Sequence, residues 1–155
     1  MGDSQTMIGI LGAPGRMGRL MAEIVHQDPA IAIGGLGVRA GDKRLGQTAA
    51  AAIGLIGCDV ALSDDSAGIF AASQAVIDFT HPAALATHLQ QAVDAHTPVL
   101  IGTTGLDASH EAAIDRAASQ IPIILAANTS LGINLLLDTV SRVAGALSAD
   151  QADIE

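Results

Sequence analysis

An α/β fold, a doubly wound parallel sheet with helices on both faces, is predicted by three observations on this 155-residue chain. Short apolar runs alternate with stretches whose apolar residues recur at helical spacing, over nearly the whole length. The first apolar run breaks into a glycine-rich turn, IGILGAPGRMGRL from Ile8 to Leu20, which reads as strand, tight turn and helix. Half the residues are hydrophobic, yet Phe70 and Phe79 are the only aromatics. A core of Ala, Val, Leu and Ile suits helices packed closely on a sheet.

Taken in order, Thr6 to Leu11 is the first strand. Arg16 to Gln27 is a helix with Met17, Leu20, Met21, Ile24 and Val25 on its apolar side, ended by Asp28 and Pro29. Ala30 to Val38 alternates as a second strand, closed by Arg39, Ala40, Gly41 and Asp42. Lys43 to Gly57 is Ala-rich and Gly-punctuated and supports no assignment. A short strand at Asp59 to Leu62 and a short helix from Asp64 to Ala72 follow, with Ser63 as N-cap. Ala75 to Phe79 is a strand, and Pro82 in a first helical turn opens a helix to about Ala95. Val99 to Ile101 is a strand, Asp107 or Ser109 caps a helix to about Ser119, and Pro122 to Ala126 is the last strand.

A final helix runs from about Leu131 to Leu147, before a polar tail. Its residues Leu131, Ile133, Leu135, Leu136, Leu137, Val140, Val143 and Leu147 wrap more than one face, wider than a helix on a single sheet needs. Such a helix is either deeply buried or meets a second domain or another subunit.

Composition excludes several function classes. A net charge of -9 argues against a nucleic-acid binder. No apolar run approaches the ~18 residues of a membrane span, and Met1 to Thr6 lacks the regions of a signal peptide, so the chain reads as soluble and cytosolic. Cys58 is the only cysteine, expected as a buried, inert thiol, and no HExxH or CxxC spacing points to a metal. Yet five of the seven cationic residues, Arg16, Arg19, Arg39, Lys43 and Arg44, fall within the first 44 positions. If the fold joins the Gly12 turn to the Arg39 loop, one local basic site stands on an acidic protein.

The glycine turn carries the chemistry. Gly12, Gly15 and Gly18 let the backbone approach a ligand, and the following helix points unpaired N–H groups and its positive dipole end at an anion. In parallel sheets ligands sit beyond the carboxyl ends of the strands. Four such ends carry small or polar segments, Gly12 to Gly18, Val38 to Arg44, Gly102 to Gly105 and Ala126 to Ser130, and all four should converge on one edge.

The combination of GAPGRMGR (Gly12 to Arg19), VIDFTHP (Val76 to Pro82), IGTTG (Ile101 to Gly105) and AANTSLGIN (Ala126 to Asn134) resembles the Rossmann-type domain of the dihydrodipicolinate reductases. These enzymes, now called 4-hydroxy-tetrahydrodipicolinate reductases, serve lysine and diaminopimelate biosynthesis. The resemblance runs from about Met7 to the chain's end, in the family's order and spacing. It implies that a nicotinamide dinucleotide, NADPH or NADH, lies along the strand edge. Its pyrophosphate would lie over Gly12, Pro14, Gly15, Arg16, Met17 and Gly18. Its nicotinamide end would meet Gly102, Thr103, Thr104, Ala126, Ala127, Asn128 and Thr129. Pro14 stands where the family often has glycine, and Thr129 where an aromatic is common.

At the adenosine end, dinucleotide folds usually place Asp or Glu after the second strand to bind the ribose 2′-hydroxyl. Val38 occupies that place and Arg39 follows, with Lys43 and Arg44 nearby, which favours a 2′-phosphate and hence NADPH over NADH.

The resemblance further implies hydride transfer to a cyclic unsaturated dicarboxylate, with a His-His-x-x-Lys in a second domain supplying substrate binding and the proton. That motif is missing from these residues, so the chain itself carries no catalytic residue and is expected to be inactive alone. Residues 1–147 then form the dinucleotide domain and 148–155 begin the connection to the second domain. A homo-oligomer is implied, a tetramer in full-length members. His26, His81, His88, His96 and His110 are expected at the surface or as caps. Two other readings stay open. One is a non-catalytic dinucleotide-sensing module. The other is the coenzyme A-binding domain of an acyl-CoA ligase, which shares a glycine turn but not the Val76 and Ala126 motifs.

Overall fold

The computed structural model describes residues 5–126 and 130–146. Six parallel strands form one sheet in the order β3-β2-β1-β4-β5-β6: β1 (Thr6–Leu11), β2 (Ile31–Gly37), β3 (Leu62–Ser63), β4 (Ala75–Asp78), β5 (Val99–Ile101) and β6 (Ile123–Leu125). The connecting helices are α1 (Arg16–Gln27), α2 (Ala49–Ile53), α3 (Ser66–Ala72), α4 (Pro82–Asp94), α5 (Ala108–Ala118) and α6 (Leu131–Ala146). Strand order reverses between β1 and β4, so the chain winds outwards in both directions from the first strand, as the alternation predicts.

Period-two alternation builds two cores, one on each face. Ile10 of β1 packs with Ala22 and Val25 of α1, Leu36, and Ala49 and Ile53 of α2. Its neighbour Leu11 packs on the other face with Phe70 of α3, Leu85 and Leu89 of α4, and Ile114 of α5. Phe70, one of the two aromatics, is fully buried there. Cys58 is a buried free thiol in the first core. On β2, a Cβ at Gly35 would lie 2.8 Å from Ile69 Cγ1, so the glycine-rich strand is what lets α3 pack this closely.

The boundaries of β1, α1 and β5 fall where the sequence places them, and β2, β4 and β6 are each shorter by a residue or two. The third strand is Leu62–Ser63 rather than Asp59 to Leu62, because it pairs only with the end of β2. The following helix starts at Ser66, not Asp64. Asp65 is its N-cap, accepting from Gly68 N, while Ser63 Oγ accepts from Asp65 N one turn earlier. The unassigned stretch contains α2, five residues capped by the Thr48 side chain. Of the two candidates before α5, Asp107 is the cap.

The last helix forms, but it is not deeply buried. Ile133, Leu135, Leu136, Leu137, Val140 and Val143 are all between 48% and 59% exposed. The adjoining edge strand is also uncovered, with Ile124 at 61% and Leu125 at 47%. Leu147, expected as the end of this helix, and the polar tail 148–155, where the second-domain connection was expected, lie outside the described residues.

Candidate functional site

The carboxyl ends of the strands open on a cavity of about 1020 Å³. Gly12, Pro14 and Gly15 line it after β1, Val38, Arg39, Ala40, Asp42 and Arg44 after β2, and Thr104 and Gly105 after β5. Three of the four expected segments therefore meet there. Sequence reasoning missed the contributions of Ser63 at the end of β3, Asp64 after it and Ser66 at the start of α3, and of Phe79, Thr80, His81, Pro82, Ala84 and His88.

The first turn is shaped by two contacts that exclude side chains. Gly12 has φ +77°, and a Cβ on it would sit 2.7 Å from the Phe79 carbonyl oxygen. A Cβ on Gly18 would collide with the carbonyl oxygen of Gly12, so the helix can start this tightly only with glycine there. Gly15 is the N-cap of α1 and brings no side-chain hydrogen bond. Helices α2 to α5 are each capped by a side chain: Thr48, Asp65, His81 and Asp107. Only α1 of these five leaves its first-turn N–H groups uncapped, and it does so at the rim of the cavity. Arg16, Met17 and Gly18 continue into the helix. Arg16 is exposed, Met17 half-buried and Gly18 buried, and none of them lines the cavity.

At the β2 end the two arginines differ. Arg44 donates from Nε to Asp42 Oδ1 at 2.8 Å and from its terminal nitrogen to Oδ2 at 2.7 Å. Those side-chain bonds, helped by the Arg44 backbone N–H, hold the Asp42 carboxyl well below the usual carboxylate range. Arg39 is exposed on the cavity wall and forms no ion pair among the described residues. The fold thus joins the Gly12 turn to the Arg39 loop, but the five-residue basic cluster does not become one site. Arg16, Arg19 and Lys43 lie outside the cavity lining and Arg44 is spent on Asp42, which leaves Arg39 as the available cation there.

At the β4 end, Asp78 is fully buried and accepts from Thr80 N at 2.8 Å and Thr80 Oγ1 at 2.6 Å. His88 Nδ1 lies 2.7 Å from its other oxygen. His88 is therefore neither a surface residue nor a cap, because the second turn of α4 leans over the strand end. The expectation holds for His81, whose ring accepts from Ala83 N, and for the exposed His26 and His96; His110 is half-buried in the α5 capping box. A buried Asp ending an apolar strand, two residues before a Thr, is the sequence signal that could have marked this pair.

After β5, Gly102 and Thr103 are buried and Thr104 is exposed on the cavity wall. The Phe79 ring fills the space a Gly102 side chain would need. Thr103 Oγ1 is buried with no hydrogen-bond partner among the described residues. Ala126 follows β6 and donates its N–H to the Ile101 carbonyl, outside the cavity lining. Ala127, Asn128 and Thr129 lie outside the described residues. Among the described residues no cluster of His, Cys, Asp or Glu could hold a metal ion, and no helix is long and apolar enough to cross a membrane.

A family model described as dihydrodipicolinate reductase, N-terminus, matches residues 6–129. The 4-hydroxy-tetrahydrodipicolinate reductase of Neisseria meningitidis serogroup C is 44% identical over 139 residues, which cover 88% of this chain and 51% of that protein. The enzyme of the same name from Halorhodospira halophila is 38% identical over 148 residues, 96% of this chain and 55% of its own length. The chain thus spans about half the length of the curated relatives it matches. Among solved structures, a dipicolinate-bound dihydrodipicolinate reductase from Paenisporosarcina superimposes with a TM-score of 0.69 at 16% identity, over 91% of this chain and 54% of that one. Aspartate semialdehyde dehydrogenase with NADP from Candida albicans gives 0.56 at 17% identity, over 77% and 41%. At these identities the two structures speak to the fold alone.

Proposed function

The chain belongs to the dihydrodipicolinate reductase N-terminal family, and from that premise we propose that it is the NADPH-binding part of a 4-hydroxy-tetrahydrodipicolinate reductase. The observation that carries this reading is the uncapped α1 N-terminus opening, with Arg39 and Thr104, on one cavity at the point where strand order reverses.

The residues present fit a dinucleotide. The turn from Gly12 to Gly18 would hold the pyrophosphate through backbone N–H groups, with Pro14 fixing one backbone angle and contributing no donor. Arg39 would pair with the 2′-phosphate, and the Val38 position offers no carboxylate to repel it. Gly102, Thr103 and Thr104, with Ala126, Ala127, Asn128 and Thr129, would receive the nicotinamide end and orient its C4 toward the substrate. When bound, the cofactor supplies a hydride. The proton belongs to a His-His-x-x-Lys motif that these 155 residues do not contain. The substrate is a cyclic unsaturated dicarboxylate, handled with a second domain in a homo-oligomer, in the cytoplasm.

Titration of the chain with NADPH and NADH tests this, read by calorimetry or by the nicotinamide fluorescence. NADPH is expected to bind more tightly, and Arg39→Ala to weaken NADPH on the order of tenfold, the loss of one charge-assisted contact, with little change for NADH. Equal affinities, or tighter NADH binding, overturn the NADPH preference. Binding of neither overturns the dinucleotide reading.

A further inference from the structure

The Asp78, Thr80 and His88 cluster is given no part of the ligand above, yet Thr80 and His88 stand at the cavity wall on the β4 side of the switch point. A buried carboxylate is costly unless its oxygens are satisfied. Asp78 meets that demand with the Thr80 backbone N–H and hydroxyl on Oδ1 and the His88 ring on Oδ2. With the carboxylate only able to accept, His88 Nδ1 carries the hydrogen and donates it. In the neutral ring that tautomer makes Nε2 an acceptor. The ring is also fixed from behind, because buried Phe70 packs against it at 6.3 Å between centroids and 56° between planes.

The His88 side chain is 13% exposed, and His88 lines the cavity. Nε2 has no hydrogen-bond partner among the described residues, whereas both of the other groups in the cluster are fully engaged. A pair that only tied α4 to β4 would need Nδ1 alone. Here the second ring nitrogen is left without a partner among the described residues on a side chain that lines the cavity.

We propose that His88 contacts the ligand directly, its Nε2 accepting a hydrogen bond from a ribose hydroxyl of the dinucleotide, with Asp78 as the residue that positions it. The inference rests on the dinucleotide reading and adds a residue to it. Phosphate oxygens offer this nitrogen no hydrogen, whereas a ribose hydroxyl does. The cavity is bordered by both the Arg39 side and the Thr104 side, so either ribose of the dinucleotide could supply the hydroxyl.

His88→Asn separates the two roles. The asparagine amide reaches roughly the imidazole Nδ1 position, so the donor to Asp78 is kept while the outer acceptor and the ring contact with Phe70 are lost. The variant should remain cooperatively folded, with a melting temperature lowered by the lost ring contact with Phe70, while its affinity for NADPH at a temperature well below that transition falls about 3- to 10-fold, the range for one net hydrogen bond. A parallel titration with adenosine 2′,5′-bisphosphate locates the contact. Loss toward both ligands assigns it to the adenosine ribose, and loss toward NADPH alone to the nicotinamide ribose. Unchanged affinity for both overturns the proposal and leaves dinucleotide binding intact, whereas a wild-type chain that binds neither ligand overturns the reading beneath it. The wild-type imidazole nitrogen spectrum gives a readout independent of folding in the variant. On adding NADPH the His88 Nε2 resonance should move and Nδ1 should not, and an unmoved Nε2 resonance refutes the contact.

Discussion

Asp107 concentrates three roles in one exposed carboxylate. It accepts from Ser109 Oγ at 2.6 Å, from Ser109 N at 2.9 Å and from His110 N at 3.1 Å, closing the N-terminus of α5. The Ser109 hydroxyl first, then the His110 backbone N–H, lower its pKa from 3.8 to about 2. A carboxylate whose folded pKa is depressed stabilises the fold above its unfolded value and loses that contribution as the pH falls through the folded one. The window for Asp107 therefore runs from 3.8 down to about 2. Asp107→Asn keeps a capping oxygen but removes the titration. Its melting temperature should fall less steeply than the wild type's between about pH 5 and about pH 2 in a thermal denaturation series. Superimposable profiles would show that the cap contributes nothing pH-dependent. This cap was readable from the sequence because Asp107 stands just before a helical run. The Asp78 and His88 pair was not, because it joins residues ten apart whose meeting depends on how α4 leans on β4.

At the scale of elements, legibility followed length and periodicity. Helix α1 shows its apolar stripe over 12 residues and begins at a glycine turn and ends at Asp28, so both ends were marked. Helix α2 has five residues, four of them alanine, too short for a period to register. Strand β3, two residues long, exists through pairing with Leu36 and Gly37 rather than through its own pattern. Helix α6 is the opposite case. Its period was clear, but its surroundings could not be read from it, because a wide apolar face marks deep burial and an unmet partner equally well. The structure leaves that face open, and a helix of 16 residues gains little stability from propensity alone. The 155-residue chain should therefore self-associate or bind a hydrophobic dye, and Leu136→Glu with Val140→Glu should reduce either signal. A strictly monomeric, dye-silent chain would show that the face is covered in solution by the chain itself.

The molecule as a whole divides holding from reacting. All six strands point their carboxyl ends the same way, so the glycine turn, the Arg39 loop, the Asp78 cluster and Thr104 share one edge without any long-range signal in the sequence having to specify it. That is why the glycine turn, the Arg39 loop and Thr104, each read singly in the sequence, meet on one cavity. What this edge offers is backbone N–H groups, one available arginine, hydroxyls and oriented imidazoles, which are groups that bind and orient a dinucleotide. The proposed reduction also needs a proton delivered to a dicarboxylate and cations to hold it, and no His-His-x-x-Lys occurs in the 155 residues. The purified chain is accordingly expected to bind NADPH and to show no appreciable oxidation of it when the pathway substrate is added, followed by loss of nicotinamide absorbance. Turnover by these residues alone would overturn this division of labour. Joining the chain to the remaining half of the Neisseria relative provides the converse test. Restored turnover supports a reductase domain, whereas binding that persists without turnover in the joined protein favours a dinucleotide sensor, since the cofactor site would then be present with every catalytic group supplied and still drive no hydride transfer.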